Sequence, residues 1–198
     1  MTIKITSGEL KNRNLTFSNK FLTHNRIRPT ANYTKQLIMN LIKNSPLVTD
    51  HFQLQDAIVA DICCGTGAMG FEFLSNGAKK CHFIDSNELV LKGIKRIAGE
   101  IGIREKINIL FSTTNLKKIE DHLDLIFIDP PYQEQERIIH NFINIAIKSD
   151  CITSKTLILV EGFKDPTSFL EDFKCKTLFT RKAVSETWIV GFNIQKIY

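Results

Sequence analysis

From residue 57 onward the chain alternates short, uninterrupted apolar runs with segments of helical spacing, and this alternation constrains the fold more than any other feature. The apolar runs predict strands at 57–62, 81–85, 107–111, 124–128 and 156–160. The intervening and following segments predict helices near 68–76, 87–101, 134–148 and 166–173. Strands that are apolar on both faces and separated by helices are typical of a parallel sheet covered on both sides. The pattern therefore predicts a doubly wound α/β domain.

Both ends of the chain depart from this alternation. Residues 1–18 alternate polar and apolar positions around turn residues, which predicts a small β-hairpin. A helix capped by Thr30 or Asn32 is predicted to follow and to end before Pro46. Residues 176–198 hold two apolar segments separated by a polar loop, which predicts an antiparallel hairpin on the sheet edge. We expect a basic N-terminal arm at 1–30 and a main domain at 31–198.

The basic residues are unevenly distributed. The formal net charge is +5, and residues 1–56 carry all of it, with eight basic and three acidic residues. Residues 57–198 contain equal numbers of the two kinds. A basic segment is typical of a surface that binds phosphates, but a solvated Lys-rich surface has the same composition.

Composition also bounds the location and the cofactors of the protein. The chain has 198 residues, and its apolar runs are far shorter than the ~20 residues that cross a bilayer. Its N-terminus lacks the apolar core of a secretory signal, so we expect a cytoplasmic protein without a membrane span. The five cysteines form no CxxC pair, which predicts reduced thiols and no bound metal.

A glycine-rich loop follows the first predicted strand of the main domain, in the stretch Asp61-Ile-Cys-Cys-Gly65-Thr-Gly67-Ala-Met-Gly70, and Asp85 ends the next strand. Such glycines let the backbone approach a ligand, and Asp85 can accept hydrogen bonds from two ribose hydroxyls. NAD and S-adenosylmethionine both fit this arrangement. Asp61 favours S-adenosylmethionine, because a carboxylate beside a pyrophosphate is unfavourable whereas a sulfonium is cationic. Alternatively, Asp61 is a strand-end residue that bonds to the loop backbone.

A second motif, Asp129-Pro130-Pro131-Tyr132, follows the strand at 124–128 and thus lies at the edge of the sheet where α/β folds bind ligands. The Asp129 carboxylate and the Pro130 carbonyl can accept the two N–H bonds of an exocyclic amino group and direct its lone pair at a methyl group. The double proline fixes the backbone, and Tyr132 offers a face on which a base stacks. The motif predicts amino-methyl transfer with Asp129, Pro130 and Tyr132 as the catalytic residues.

These motifs resemble those of the RsmD-type bacterial methyltransferases, which modify the N2 amino group of a guanine in 16S ribosomal RNA. The resemblance also covers further elements along the chain: Ser7-Gly8-Glu9-Leu10-Lys11-Asn12-Arg13, Arg28-Pro29-Thr30, Glu72 and Val160-Glu161. It implies a mostly parallel, seven-stranded, Rossmann-like class I methyltransferase sheet with a C-terminal antiparallel hairpin. The chain departs from the family at Cys63-Cys64, at Ser112-Thr113-Thr114, where many relatives have Asp, and in the loop 180–187.

The resemblance implies S-adenosylmethionine as cofactor and 16S rRNA, in the small subunit or in an assembly intermediate, as partner of a monomeric enzyme. Its implied cofactor-binding residues are Asp61, Cys63, Gly65, Gly67, Asp85, Ser86 and Thr113. Its implied RNA-binding residues are Lys11, Arg13 and Arg28. The alternatives are a DNA adenine-N6 methyltransferase, a protein glutamine methyltransferase and a non-catalytic RNA-binding factor of ribosome assembly.

Overall fold

The structure, a computed structural model, describes residues 3–24, 29–112, 116, 119–163, 170, 173–183 and 187–195. Its strands are β1 (Ile3–Lys4), β2 (Asn14–Leu15), β3 (Ile58–Ile62), β4 (Lys80–Asp85), β5 (Ile107–Phe111), β6 (Leu125–Ile128), β7 (Leu157–Gly162), β8 (Cys175–Lys182) and β9 (Trp188–Ile194). Its α-helices are α1 (Asn19–His24), α2 (Asn32–Asn44), α3 (Pro46–Thr49), α4 (Ala68–Ser75), α5 (Glu88–Glu100) and α6 (Gln135–Lys148). None of these helices has the length and apolar character of a membrane span.

Seven strands form one sheet in the order β5-β4-β3-β6-β7-β9-β8. The strands from β5 to β7 are parallel, and the β8–β9 hairpin adds to β7 through an antiparallel pairing. Strands β1 and β2 form a separate small hairpin. The predicted doubly wound sheet with a hairpin at each end of the chain is confirmed. The helix predicted near 166–173 lies mostly outside the described residues.

Alternating side chains of the central strands enter two different apolar layers. On β6, Leu125 and Phe127 join the cluster that contains α4 and α5, whereas Ile126 and Ile128 join the cluster that contains α6. All four are at most 1% exposed. Both faces of the central strands are buried, which agrees with their continuously apolar sequences.

Helix α2 follows the predicted segment but begins differently. Ala31 occupies the cap position, and no side chain caps the helix there, so the prediction of a Thr30 or Asn32 cap is wrong. The side chain of Asn32 is exposed, and the residue is already the first of the helix. The helix therefore begins without a side-chain cap.

The N-terminal hairpin packs onto the main domain. Ile3, Ile5, Leu15 and Phe17 are each less than 10% exposed and belong to the same apolar cluster as α4 and α5. The division of the chain at residue 30 stays a prediction, but the hairpin shares its core with the sheet.

Glu72 on α4 joins three parts of the fold in a buried polar network. Its carboxylate accepts hydrogen bonds from the backbone N–H of Thr6 (2.6 Å) and from the backbone and side chain of Ser7 (both 3.3 Å). The Lys35 ammonium on α2 lies 3.2 Å from the same carboxylate and donates to the Lys4 carbonyl. Both charged side chains are fully buried. Lys35 thus contributes to the basic excess of the sequence but offers no charge to a partner.

His82 is a second buried polar residue, in the middle of β4. Asn108 on β5 donates to its Nδ1 atom over 3.1 Å. Burial, together with the charge of Lys80, lowers the pKa of His82 to about 4. The imidazole is therefore neutral at pH 7, and its role is structural.

Glu72→Gln is expected to destabilise the fold by about 3–5 kcal/mol, because it leaves the Lys35 ammonium buried without its counter-charge. Urea unfolding measures the change. The matched control is Glu100→Gln, which removes the exposed pair between Arg96 and Glu100 and should cost less than about 1 kcal/mol. The double variant Glu72→Gln/Lys35→Met should recover part of the loss. Equal costs for Glu72→Gln and Glu100→Gln would contradict this account.

Candidate active site

A cavity of about 900 Å³ opens at the carboxyl ends of the parallel strands. It lies between β3 and β6, where the strand order reverses, which is the usual ligand position in open α/β sheets. The loops after β3, β4, β5 and β6 all contribute to its walls. The cavity includes seven of the site residues that the sequence predicts: Cys63, Gly65, Asp85, Ser86, Asp129, Pro130 and Tyr132.

The glycine loop after β3 is tightly wound and packs closely on β4. Cys63, Gly65 and Gly67 all have positive φ, at 57°, 50° and 72°. A Cβ atom at Gly67 would lie 2.8 Å from the Phe83 ring, and one at Gly70 would lie 2.3 Å from the same ring. Gly67 is not one of the residues that line the cavity. The last two glycines therefore serve the close approach of α4 to the sheet.

Asp61 lies behind the loop, at 1% exposure, and does not line the cavity. Its carboxylate accepts a hydrogen bond from the Gly70 backbone over 2.8 Å. Burial raises the pKa of Asp61 well above its usual range, and the charges of Asp129 and Asp85 raise it further. The structure thus shows the hydrogen bond to the loop backbone that was predicted as the alternative role of Asp61. A direct contact with a cofactor stays a prediction.

Asp85, at the end of β4, fixes the glycine loop from the neighbouring strand. Its two carboxylate oxygens accept hydrogen bonds from the backbone of Gly65 and of Asn87, both over 2.9 Å. Asn87 in turn caps α5 by accepting from Leu89 and Val90. The carboxylate is half-buried and lines the cavity, so it anchors the loop, and its binding of a ligand stays a prediction.

Cys63 lines the cavity as an uncharged thiol. Burial raises its pKa to about 12, and the charges of Asp85 and Asp129 add to the shift. A thiol with this pKa is a poor nucleophile at neutral pH. Asp85 and Asp129 place two carboxylates around the same cavity.

The Asp129–Tyr132 segment lies directly opposite the glycine loop. The Asp129 backbone donates to the Ile62 carbonyl over 3.2 Å, which ties the segment to the end of β3. The Tyr132 ring contacts Phe163, with ring centroids 5.1 Å apart and planes tilted by 38°. Both rings are 43% exposed at the cavity wall. Phe163 was not predicted as a site residue, since a single aromatic residue after β7 gives no recognisable signal.

Two further walls of the cavity come from other parts of the chain. Glu161, near the end of β7, is 7% exposed and lines the cavity. It belongs to the Val160-Glu161 element of the family resemblance. Pro29, Thr30 and Thr34 bring the start of α2 to the opposite wall. The Arg28-Pro29-Thr30 element therefore reaches the site, although Arg28 itself lies outside the described residues, as does Thr113.

Lys11 and Arg13 lie far from the cavity opening. Their turn is bound to the last residue of α4, where Ser75 accepts hydrogen bonds from the backbone of Glu9 (2.7 Å) and Leu10 (2.9 Å). The glycine loop is at the other end of this helix, which at eight residues is about 12 Å long. Both basic side chains are exposed, and the structure does not bring them together with the predicted catalytic residues.

The profile of a family described as conserved hypothetical protein 95 matches residues 3–192. The chain belongs to this family. Its members include the RsmD-type enzymes, and two relatives named ribosomal RNA small subunit methyltransferase D come from subspecies of Buchnera aphidicola. One is 29% identical over 81% of this chain and 76% of its own length, and the other is 25% identical over 93% and 89%.

Solved structures share the RsmD-type fold. A putative methyltransferase, yhhF, from Escherichia coli superposes with a TM-score of 0.75 at 16% identity, covering 98% of this chain and 99% of its own. A putative methylase from Haemophilus influenzae gives a TM-score of 0.69 at 19% identity, covering 99% and 100%. At these identities the similarity establishes the Rossmann-like methyltransferase architecture.

Asp61→Asn is expected to raise the free energy of unfolding at pH 7, because the amide still accepts from Gly70 without a buried charge. The pKa of Asp61 is raised in the fold, so its stabilising contribution is present at low pH and is lost as pH rises above the unfolded value of about 4. Urea unfolding of the wild type and the variant at pH 5 and pH 8 should show a larger gain at pH 8. A loss of stability that grows with pH would contradict the assignment.

Proposed function

We propose that this protein transfers a methyl group from S-adenosylmethionine to the N2 amino group of a guanine in 16S rRNA. The observation that carries the proposal is the shared cavity of the glycine loop, Asp85 and the Asp129–Tyr132 segment. Family membership and the relatives named as ribosomal RNA small subunit methyltransferases support the substrate class. The resemblance in the sequence supports guanine N2 as the acceptor.

The cavity fits a cationic nucleoside better than a dinucleotide. Asp85, Asp129 and Asp61 surround the glycine loop closely enough to raise the pKa of Cys63. This negative potential repels a pyrophosphate and attracts a sulfonium or an ammonium group. Asp85 would bind the ribose hydroxyls, and Ser86 and the neutral Cys63 would line the cofactor. When bound, S-adenosylmethionine supplies an electrophilic methyl group.

Asp129 and Pro130 would position the amino group of the base. An exocyclic amino nitrogen donates its lone pair to the ring and is a weak nucleophile. Two acceptors, the Asp129 carboxylate and the Pro130 carbonyl, hold its N–H bonds and aim the lone pair at the methyl group. The nitrogen releases its proton after alkylation, so positioning and electrostatics carry the rate.

Tyr132 and Phe163 would hold the target base by stacking. Two exposed rings in contact at the cavity wall form a continuous aromatic surface. A base withdrawn from its own stack regains about 1–3 kcal/mol on such a surface. Glu161, beside Asp129 on the next strand, adds a buried carboxylate to the same wall.

The substrate is tested by incubating the protein with labelled S-adenosylmethionine and, in parallel, unmodified small subunits, naked rRNA and DNA. Nucleoside analysis should identify N2-methylguanosine in RNA. N6-methyladenosine, or label in DNA alone, would refute the proposal. A protein that binds RNA without any transfer would support the assembly-factor alternative.

Asp129→Ala is expected to lower methyl transfer by at least about a hundredfold, because it removes one of the two acceptors that orient the amino group. Affinity for S-adenosylmethionine, measured by calorimetry, should change little. Asp85→Ala is the matched variant and should show the opposite pattern, with a large loss of cofactor affinity. Loss of cofactor affinity in Asp129→Ala would contradict the assignment of Asp129 to the amino group and of Asp85 to the cofactor.

Phe163→Ala is expected to lower kcat/KM for RNA by about tenfold, since it removes part of the stacking surface. Phe163→Tyr should retain most of the activity. Leu47→Ala, at an exposed apolar side chain on α3, controls for the loss of apolar surface alone. If Phe163→Ala and Leu47→Ala have the same kcat/KM, Phe163 does not contact the base.

The assignment of Lys11, Arg13 and Arg28 to RNA binding stays a prediction. Lys11 and Arg13 are held at the far end of α4, so any RNA that they bind would have to extend beyond the segment that carries the target base.

A further inference from the structure

The free end of the β8–β9 hairpin carries two adjacent basic residues, Arg181 and Lys182, at the cavity side of the sheet. We propose that these two side chains bind backbone phosphates of the RNA next to the target nucleotide. The inference rests on the proposed function, since it takes RNA as the molecule that carries the base. It assigns a phosphate-binding surface to a part of the chain whose total charge is zero.

The strand register places both residues at the same edge of the sheet as the catalytic segment, with their side chains on opposite faces of the hairpin. Asp129 follows Ile128, which pairs with Val160, so Asp129 and Glu161 end neighbouring strands. Glu161 pairs with Ile189 on β9, and Ile189 pairs with Arg181 on β8. Three strand spacings of about 4.8 Å therefore separate Asp129 from Arg181, a distance of about 14 Å across the same edge.

The hairpin end also reaches the cavity directly. Thr187 lines the cavity, and its carbonyl accepts a hydrogen bond from Ala183 over 2.7 Å, which closes the hairpin. The next residue, Trp188, pairs with Lys182 on one side and with Gly162 at the end of β7 on the other. The Lys182 ammonium lies over the Trp188 ring, 5.9 Å from its centroid. This contact fixes a cation within one residue of the cavity wall.

A basic surface at the rim would complement the negative charge of an RNA backbone. Because the aspartates of the cavity repel phosphates, the target base would enter the cavity while the sugar-phosphate backbone of the RNA stays outside. Arg181 and Lys182 are both exposed at the hairpin end. Charges in solution are screened over about 8 Å, so only cations close to the bound RNA segment act strongly on its phosphates.

The test compares two double variants of the full-length protein that remove equal charge from the two ends of the same strand. Arg181→Ala/Lys182→Ala removes the proposed surface. Lys174→Ala/Lys176→Ala removes two exposed lysines at the opposite edge of the sheet. Binding of unmodified 16S rRNA is measured from 50 to 200 mM salt, a range that suits counterion-release analysis, with S-adenosylmethionine affinity as the check on folding.

We expect Arg181→Ala/Lys182→Ala to weaken RNA binding by about tenfold and to reduce the slope of log affinity against log salt by about 1.5, as for two lost phosphate contacts. Lys174→Ala/Lys176→Ala should stay close to the wild type. Wild-type binding by the first variant, or equal losses in both, would overturn the proposal. If the wild type methylates DNA and not RNA, the proposed function has failed instead.

Trp188 provides a second readout, because it is the one tryptophan in the chain. RNA bound at Arg181 and Lys182 should change its fluorescence emission as RNA is titrated. The change should be much smaller in Arg181→Ala/Lys182→Ala and retained in Lys174→Ala/Lys176→Ala. Emission that stays constant while a gel shift shows complex formation would place the RNA elsewhere and overturn the proposal.

Discussion

The buried contact between Glu72 and Lys35 is the interaction on which the rest of the site depends. Glu72 lies on the helix that follows the glycine loop, and Lys35 lies on the helix whose start forms the opposite cavity wall. The same carboxylate binds the backbone of Thr6 and Ser7. One buried charge pair therefore positions two walls of the cavity and the N-terminal hairpin together. Two desolvated charges are costly unless every partner is in place, so the network favours a single arrangement of these three segments.

The distribution of charge divides the site into an interior and a rim. Asp85 and Asp129 line the interior with carboxylates, which suits a cationic cofactor and an uncharged base. A nucleic acid can present a base to such an interior only if its phosphates stay outside. Under the proposed function, basic residues near the opening would raise the affinity for RNA, while the acidic interior would select the groups that enter. The net charge of +5 is a sum over the whole chain, so it shows neither the acidic interior of the cavity nor the basic residues near its opening.

Much of the main domain was predictable because its local and tertiary requirements agree. Strands such as 125–128 are apolar on both faces, and their helices have clear periodicity, so strand and helix positions follow from the pattern. The Asp129-Pro130-Pro131-Tyr132 motif was readable because two consecutive prolines at a strand end are rare. The helix cap at Ala31 was not predictable, since no polar side chain caps the helix there and the sequence offers no local signal for the boundary.

The sequence by itself predicted the alternation of strands and helices from residue 57 onward, the glycine-loop and Asp129–Tyr132 motifs and the family, because apolar periodicity and short motifs are local properties of the chain. Tertiary structure decided which residues share a surface. It placed Asp61 behind the glycine loop, Phe163 against Tyr132, and Lys11 at the opposite end of α4 from the cavity. It also brought the β8–β9 hairpin to the rim through pairing with β7. Such neighbours arise from strand order and register, which join residues distant in sequence and leave no local signal.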